Sequence, residues 1–315
     1  MAARKGSAGG VVRRVGWVVL ACALVSAHPD VLAGSVPPPL KCVSFNLLHG
    51  GVFSGLRGNG QDLDLRLDIA AEELRALEVD IIGLQEASVG RGRGNVAERL
   101  AQKLGFYYVF APAGLRLFTS EWVNTLAAWV MNFSEGPAIV SRFPIVASVS
   151  HDLPRCGRFT DPRVAVCATL HTPWGLLDVC STHTSGNACQ AKSLVDFVQE
   201  RRGPLPLLLM GDLNATENSP AITLLTEEAG FIDTFRVANP TAPGLTVWQW
   251  VYAPRPTVFR RVDYVFLLPG RDFPGKVLSS RVILNAPRRL QDGKVLWPSD
   301  HYGVLAEVAV FPPPL

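Results

Sequence analysis

The amino-acid sequence predicts a single α/β domain in which strands, partly alternating with helices and partly joined as hairpins, form layers covered by helices. Three observations predict this class. The chain has 315 residues, of which 48% are hydrophobic and 18% charged, which is enough to bury one large core. Strand-like and helix-like segments are mixed without a repeat period. Between residues 40 and 311, no stretch of the sequence has the composition of a linker.

The first half of this domain is predicted to alternate between strands and helices. Short apolar runs are typical of buried strands, whereas apolar residues three or four positions apart are typical of amphipathic helices. The predicted elements are a strand over 43–47, a helix over 65–77, a strand over 80–84, a helix over 96–104, a strand over 107–110, and a strand pair over 137–140 and 144–148 joined at Ser141-Arg142-Phe143.

The second half is predicted to be richer in strands. Residues 164–170 and 176–181 alternate in polarity on either side of Pro173-Trp174, which indicates a hairpin. A helix is expected over 190–202, and Ser219-Pro220 provides the serine cap and first-turn proline of another. The remaining predicted strands cover 205–210, 247–252, 261–267, 277–284 and 304–311.

The N-terminal segment has the composition of an export signal. A basic segment ends at Arg14, an apolar run follows from Val15 to Val25, and small residues come next. This order predicts a secretory signal peptide over 1–33, cleaved near residue 27 or 33, and a folded domain over 34–315. The apolar run is too short to span a bilayer.

Two alternatives to a cleaved, secreted chain stay open at this point. Val19-Leu20-Ala21-Cys22 resembles a lipobox, which would make the chain a lipoprotein anchored at Cys22. A retained signal anchor is the other alternative. Under all three interpretations the folded domain is exported and extracytoplasmic.

The predicted exported domain is close to neutral in charge. Four of the 30 basic residues and one of the 27 acidic residues precede Gly34, which leaves 26 of each. A chain without a large basic surplus lacks the electrostatic attraction that produces tight nonspecific binding to nucleic acid.

The cysteines of the exported domain are odd in number, so at least one thiol is free if the others form disulfides. Cys42 lies in an apolar stretch and is predicted to be a buried free thiol. One pairing joins Cys180 to Cys189 across the His183 loop and leaves Cys156 with Cys167. The competing pairing joins Cys167 to Cys180 across the predicted hairpin.

Polar groups follow apolar runs at five places where strands are predicted to end. Carboxylate, amide and imidazole groups collected at strand ends are typical of a metal-assisted hydrolytic site. The five clusters are Ser44-Phe45-Asn46, Leu84-Gln85-Glu86, Thr182-His183-Thr184, Gly211-Asp212-Leu213-Asn214 and Ser299-Asp300-His301.

Two further motifs complete a resemblance to a known superfamily. From about Lys41 to Phe311 the chain resembles the endonuclease/exonuclease/phosphatase superfamily, which includes deoxyribonuclease I, exonuclease III, neutral sphingomyelinases and inositol polyphosphate 5-phosphatases. Each motif alone is weak, whereas the ordered set is specific. Besides the five clusters, the motifs are Ala138-Ile139-Val140-Ser141-Arg142-Phe143-Pro144-Ile145 and Arg261-Val262-Asp263-Tyr264-Val265.

The resemblance implies the architecture and the reaction class. The fold would be a four-layer α/β/β/α sandwich of two mixed sheets flanked by helices, with the site in the cleft where the sheets open. The activity would be that of a metal-dependent phosphoric ester hydrolase.

The chemistry of this class favours a hard divalent cation. Phosphodiester hydrolysis develops negative charge on nonbridging and leaving oxygens, which a cation stabilises. Mg²⁺ keeps several waters and accepts few protein ligands, which suits one carboxylate and one amide oxygen. By resemblance, Glu86 is the main metal ligand and Asn46 supports it directly or through water. Mn²⁺ and Ca²⁺ are alternatives to Mg²⁺.

The resemblance also implies how water and phosphate are handled. Asp212 and Asn214 lie two residues apart after an apolar strand, so an extended backbone turns both to one side. In the superfamily, the aspartate orients or deprotonates the attacking water and the asparagine donates to a phosphate oxygen. A second metal on Asp212 is the alternative.

Two histidines and two carboxylates complete the expected site. By resemblance, His301 faces the phosphate and Asp300 orients its ring. His183 is expected to donate to the phosphate or to protonate the leaving oxygen. Asp263 organises the site or pairs with a histidine.

The substrate stays open between nucleic acid and phospholipid. Arg261-Val262-Asp263-Tyr264 stands where 5-phosphatases carry Trp-Cys-Asp-Arg, which disfavours inositol polyphosphates. Aromatic residues crowd the stretch before Asp263 and the segment near residues 113–131. They could stack on bases, contact a membrane surface, or fill the core.

The sequence therefore predicts an exported metal-dependent phosphodiesterase that is nuclease-like. A sphingomyelinase-like phospholipid phosphodiesterase and a catalytically silent binding module are the alternatives. A basic groove at the site would favour nucleic acid, and an apolar rim would favour phospholipid.

Overall fold

The structure is a computed structural model that describes residues 37–48, 60–114, 120–132, 134–156 and 162–312. The predicted signal peptide, its cleavage positions and Cys22 lie outside the described residues. In chain order the described strands are β1 (Leu40–Asn46), β2 (Ile81–Gly90), β3 (Gly94–Asn95), β4 (Tyr107–Phe110), β5 (Ser134–Ser141), β6 (Ile145–Leu153), β7 (Arg163–Thr172), β8 (Gly175–His183), β9 (Leu207–Asp212), β10 (Ile232–Asp233), β11 (Asp263–Leu268), β12 (Lys276–Ile283), β13 (Arg288–Arg289), β14 (Val295–Leu296) and β15 (Gly303–Ala309).

The helices begin at caps that the sequence provides. The side chains of Asn95, Asn187 and Ser219 accept hydrogen bonds from backbone N–H groups of the first turn, which stabilises these helix starts. Among the described helices, none combines the length and hydropathy that a membrane crossing requires. They are α1 (Leu63–Ala76), α2 (Val96–Leu104), α3 (Glu121–Val130), α4 (Ala188–Gln199), α5 (Pro220–Thr223), which a π-helical turn (Leu224–Glu228) continues, and α6 (Thr234–Ala238).

The long strands form two mixed sheets. The first has the order β12-β15-β1-β2-β5-β4, with β3 paired to the end of β2, and β1 and β2 run parallel. The second has the order β10-β11-β9-β8-β7-β6, and β8 and β9 run parallel. In each sheet the parallel pair is central, so the ends of four inner strands reach the same region of the molecule.

Three apolar cores separate four layers. Along β1, Cys42 packs between the two sheets, whereas Val43 packs against α1 and α2 on the outer side. Along β9, Met210 packs between the sheets and Leu209 packs against α4 and α5. Strands buried on both faces read as continuous apolar runs. This arrangement confirms the predicted α/β/β/α sandwich.

The predicted pairing of 137–140 with 144–148 is wrong. The first segment lies in β5 of the first sheet and the second in β6, the edge strand of the second sheet. At the turn between them the chain passes from the first sheet to the second. Two hydrogen bonds hold this turn: Arg142 N donates to the carbonyl of Asp80, and Phe143 N donates to Ser141 Oγ. Two strands close in sequence share a turn without sharing a sheet.

The disulfides decide between the two predicted pairings. Cys167 is bonded to Cys180 and Cys156 to Cys189, whereas Cys42 is a buried free thiol. The pairing of Cys180 with Cys189 is therefore wrong and the hairpin pairing is confirmed. The reason is register, because β7 and β8 place Cys167 directly opposite Cys180.

A glycine beside the irregular part of β2 provides a test of this packing. Gly136 on β5 lies opposite Ala87, next to the break in pairing after Leu84. A Cβ at this position would overlap the backbone carbonyl oxygen of Ala111. We expect Gly136→Ala to lower the free energy of unfolding by about 1–3 kcal/mol, measured by urea denaturation. Gly114→Ala is the matched control, since no atom of the residues that the structure describes lies within 4 Å of its added Cβ; equal stability of the two variants would contradict the prediction.

Candidate active site

Asn46 and Glu86 meet at the ends of two parallel strands of the first sheet. Asn46 pairs in register with Gln85. A regular strand would send Glu86 to the helix-covered side with Leu84. Instead Glu86 has a φ of 54° and the pairing with β5 is interrupted there, which redirects the side chain as a bulge does. Its carboxylate Oε1 therefore lies 3.2 Å from Asn46 Nδ2.

The carboxylate of Asp212 is the centre of the site. Asp212 ends β9, next to His183 at the end of parallel β8 and opposite Asp263 on β11. Its Oδ2 accepts a hydrogen bond from Asn46 Nδ2 at 3.0 Å. The same oxygen lies 3.3 Å from His183 Nε2 and 3.7 Å from His301 Nε2. Groups from three other segments of the chain thus converge on one buried oxygen.

Asn214 joins this group through a left-handed backbone. Its φ is 50°, a conformation that asparagine tolerates better than most residues. The turn lets Asn214 N donate to Asp212 Oδ1 at 2.8 Å. Asn214 Nδ2 lies 2.9 Å from His183 Nε2 and donates to the carbonyl of Thr184. The predicted pair Asp212 and Asn214 therefore faces one cleft.

The ring of His301 is oriented by Asp263 and not by Asp300. Asp263 Oδ2 lies 2.9 Å from His301 Nδ1, so the partner role that the resemblance assigns to Asp300 is wrong for this chain. Adjacent residues of an extended segment point to opposite sides, and Asp300 lines a separate cavity next to Trp248. Ser299 holds the segment, since its Oγ donates to the carbonyl of Asn46 at 2.6 Å.

Burial and neighbouring charges shift the pKa values of Asp212, His301 and His183 in different directions. Burial, together with repulsion from Asp263, raises the pKa of Asp212 to about 7. Burial alone would lower the pKa of His301, but the carboxylates of Asp263 and Asp212 hold it well above its ordinary value. Burial and the charge of Arg163, whose Nη1 lies 2.8 Å from His183 Nδ1, hold the pKa of His183 well below its ordinary value.

These shifts give the two histidines different roles. His301 is a cation at neutral pH and can attract a phosphate. His183 is neutral, which disfavours the expected protonation of a leaving oxygen by this residue and leaves hydrogen bonding to phosphate. The raised pKa of Asp212 lies near neutral pH, a range that is suitable for a general base. Asp300, whose pKa burial raises to about 6, stands at the edge of the group.

The acidic groups of the site fit a hard cation at Glu86. Ligand atoms of Glu86, Glu135 and His183 lie within 4.8 Å of one another. Glu86 Oε2 is buried and has no hydrogen-bond partner among the described residues; such an oxygen is costly unless a cation or water satisfies it. The amide oxygen Oδ1 of Asn46 accepts a hydrogen bond from Leu48 N at 3.0 Å. The amide nitrogen Nδ2 of Asn46 therefore faces Glu86 and orients its carboxylate.

A second group of possible ligands fits a cation less well. Asp212, Asp263 and His301 also have ligand atoms within 4.8 Å of one another. His301 Nδ1 is hydrogen-bonded to Asp263 Oδ2. The two carboxylates also raise the pKa of His301, and a protonated ring is a poor metal ligand.

Sequence reasoning missed three residues of the site. Glu135 was missed because it begins the apolar strand β5 instead of ending one, and its lone carboxylate ahead of Gly-Pro is a weak signal. Arg163 has no motif. Arg66 reads as a surface residue of α1, yet it is buried and donates to the carbonyls of Leu47, Leu48 and Pro298 at 2.7, 2.8 and 3.1 Å.

The fold and the site define a class of protein. A sandwich of two mixed sheets whose inner strand ends gather carboxylates, amides and histidines is the framework of a phosphoric ester hydrolase. The chain belongs to the endonuclease/exonuclease/phosphatase family, whose model matches residues 43–301. Members of this family are phosphoric ester hydrolases, and dependence on a divalent metal is typical of them.

Proteins similar to this chain include one relative in sequence and two solved structures. The chain is 27% identical over 169 residues to Protein cwh43 of Schizosaccharomyces pombe. The matched region covers 51% of this chain and 16% of Protein cwh43, so this chain matches about one sixth of the length of that protein. Mannosyl-6-phosphatase Bt3783 of Bacteroides thetaiotaomicron superposes with a TM-score of 0.65 at 19% identity, covering 86% of this chain and 99% of the other. TDP2 of D. rerio, complexed with single strand DNA product, superposes with a TM-score of 0.61 at 17% identity and the same coverage. The two solved structures share the fold with this chain.

The partner of His301 can be tested by titration. Removing a carboxylate destabilises the imidazolium next to it, so Asp263→Asn should lower the pKa of His301 more than Asp300→Asn does. NMR titration of the His301 ring in EDTA measures the difference. Asp263→Asn should also reduce kcat by about 10²-fold or more, whereas the exposed control Asp272→Asn should not. A larger pKa change in the Asp300 variant would contradict the assignment.

Proposed function

We propose that this chain is an exported, divalent-metal-dependent phosphodiesterase that hydrolyses a P–O bond by in-line attack of water. The observation that carries the proposal is the convergence on Asp212 Oδ2 of groups from β1, β8 and the His301 segment. Next to it lies the unpaired oxygen of Glu86. A water held by Asp212 and a phosphate held by its neighbours would be in contact.

Glu86 and Glu135 would hold the divalent cation, and Asn46 would orient Glu86, whereas both ring nitrogens of His183 already have partners in Arg163, Asn214 and Asp212. Mg²⁺ suits a carboxylate-rich site that leaves positions for water, with Mn²⁺ and Ca²⁺ as the alternatives. When bound, such a cation neutralises charge on the nonbridging and leaving oxygens of the phosphate.

The other side chains of the site would act on the attacking water and on the phosphate. Asp212 orients the water and takes its proton, for which a pKa of about 7 is suitable. Asn214 and neutral His183 donate to phosphate oxygens, and His301, held by Asp263, supplies positive charge. Water adds to phosphorus, the P–O bond to one ester group breaks, and the leaving oxygen takes a proton.

The charge of the site supports a diester. Arg66 is bonded to backbone carbonyls and Arg163 to His183, so neither guanidinium is directed to a second phosphate charge. His301 is then the side-chain cation of the site that can face the phosphate, which favours the single negative charge of a phosphodiester, of nucleic acid or of phospholipid, over the second charge of a monoester.

Two disulfides support export. Cys167–Cys180 and Cys156–Cys189 both brace the His183 region, and disulfides persist in oxidising compartments outside the cytosol. Together with the signal-like sequence over 1–33, they support a secreted or extracytoplasmic domain. Lipid anchoring at Cys22 is the alternative route to the same compartment.

A hydrolysis panel tests the proposal. The purified chain is assayed with Mg²⁺, Mn²⁺ and Ca²⁺ on DNA, RNA, sphingomyelin and bis-p-nitrophenyl phosphate. We expect EDTA to abolish hydrolysis and added metal to restore it. Glu86→Ala and His301→Ala should each reduce kcat/KM by about 10³-fold while circular dichroism stays unchanged.

The matched control for this panel is Asp272→Asn, an exposed carboxylate outside the site. It should retain the wild-type rate on each substrate. If the wild-type chain were inert on every phosphoester with every metal, the enzyme proposal would fail and a silent binding module would be favoured.

A further inference from the structure

Large apolar side chains are exposed on a loop that borders the site. We name residues 248–259 the aromatic loop. The sequence predicts a strand over 247–252, but only Val247 makes β-bridges there. The alternation of a strand is nevertheless present, because Trp248, Trp250 and Tyr252 are exposed while Gln249 and Val251 are buried. One side of the loop therefore presents three aromatic rings to the exterior.

Hydrogen bonds hold the aromatic loop in place. Gln249 N donates to the carbonyl of Asp300 at 2.7 Å, and Gln249 Oε1 accepts from the Tyr302 hydroxyl at 2.8 Å. Trp297 N donates to the carbonyl of Val251 at 2.8 Å. The loop is thus attached to the segment that carries His301. Its aromatic side chains are held outward by a fixed backbone, and Trp250 is 75% exposed.

A cavity of about 770 Å³ lies between this loop and the site. Its lining comes from residues 248–253, Leu48, Gln61 and Asp300, and most of its surface is apolar. Asp300 is the lining residue next to His301 in the chain. Among the described residues, none that lines it is lysine or arginine. The cavity is large enough for a small organic group, and it lacks the cations that a second phosphate would need.

Helix α3 exposes a second apolar surface. Trp122, Leu126 and Trp129 are 70%, 49% and 64% exposed, and their spacing places them on one face together with Val130. On the same helix the polar residue Asn124 is buried. The exposed face of the helix thus carries two tryptophans and two aliphatic side chains, residue types that are typical of segments in contact with a membrane interface. We name the four apolar residues the outer face of α3.

The outer face of α3 is connected to the opposite side of the site. Glu135 follows α3 by five residues and has its carboxylate within 4.8 Å of the ligand atoms of Glu86 and His183. Arg91, just after β2, donates to the carbonyl of Trp129 at 3.2 Å and lies over its ring. The aromatic loop is thus linked to the site through Asp300, and α3 is linked to it through Glu135 and through Arg91 at the end of β2.

The charges of the aromatic loop complement a phospholipid surface. From residue 246 to residue 262 the chain has no acidic residue, and Arg255 is exposed. Arg260 lies over the rings of Trp248 and Phe259 at 5.3 and 5.1 Å. Tryptophan, tyrosine and arginine together are typical of the headgroup level of a bilayer. A nucleic-acid groove would instead require a row of cations along the strand.

We propose that the aromatic loop and the outer face of α3 bind a phospholipid bilayer, and that the cavity beside Asp300 takes up the apolar part of a phospholipid whose phosphodiester is hydrolysed at the site. This inference rests on the proposed function and names its substrate class. The apolar rim also favours phospholipid over the nuclease-like substrate that the sequence predicts.

Membrane binding is tested without catalysis. The chain in EDTA is sedimented with phosphatidylcholine vesicles and with vesicles that contain about one third phosphatidylglycerol. We expect binding to both, stronger to the anionic vesicles because of Arg255 and Arg260, with a blue shift of tryptophan fluorescence. Trp250→Ala/Tyr252→Ala and Trp122→Ala/Trp129→Ala should each weaken binding about tenfold or more.

Tyr107→Ala is the matched control, since Tyr107 is 50% exposed and lies outside both surfaces. It should bind vesicles as the wild type does. Wild-type protein that stays in solution with both vesicle types would overturn the proposal, and so would loop and helix variants that bind as well as the control. If the wild type bound single-stranded DNA and both double variants lost this binding, the two surfaces would be assigned to nucleic acid instead.

A hydrolysis ratio separates this inference from the proposed function. For each variant, the rate on phospholipid in vesicles is divided by the rate on bis-p-nitrophenyl phosphate. The two double variants should lower this ratio about tenfold. Vesicle binding without hydrolysis of any substrate would refute the enzyme proposal alone, whereas hydrolysis of the soluble diester without vesicle binding would refute the membrane surface alone.

Discussion

The burial of Asp212 is the constraint on which the site depends. A buried carboxylate is costly unless hydrogen bonds or opposite charges compensate it. Here the compensation comes from both sheets, because Asn46 belongs to β1 of the first sheet and His183 to β8 of the second. Satisfying one oxygen therefore fixes how the strand ends of the two sheets meet, and that meeting places Glu86 and His301 around the same cleft.

Backbone conformations that are rare for non-glycine residues position two side chains of this cleft. Glu86 and Asn214 both have positive φ values, which non-glycine residues adopt at a cost that the surrounding structure must compensate. Arg66 fixes neighbouring segments, since its guanidinium donates to the carbonyls of Leu47 after β1 and Pro298 before the His301 segment. The groups that handle water and phosphate are thus positioned by the fold, which is what electrostatic stabilisation of a transition state requires.

The proposed hydrolytic site and the proposed membrane-binding surfaces lie in different parts of the fold. Residues on buried strand ends account for hydrolysis of a phosphoester, and the solved structures with 17% and 19% identity share the fold that carries them. The aromatic loop and α3 lie outside those strands, where insertions vary without disturbing the core. A fold shared at this level is therefore compatible with different leaving groups, and the exposed surfaces decide among them.

The sequence by itself determined the order of the motifs, the strand and helix positions near them, the hairpin over β7 and β8, and the residues that would gather at one site. It left two disulfide pairings open, and the register of β7 against β8 decided between them. Period-two alternation reports which side of a strand is apolar, but not which sheet the strand joins, so the separation of β5 from β6 needed the tertiary structure. The same holds for Asp263 as the partner of His301 and for Glu135 beside Glu86, because these contacts join residues distant in the chain. Such contacts depend on register and on the approach of two sheets, which no local pattern encodes.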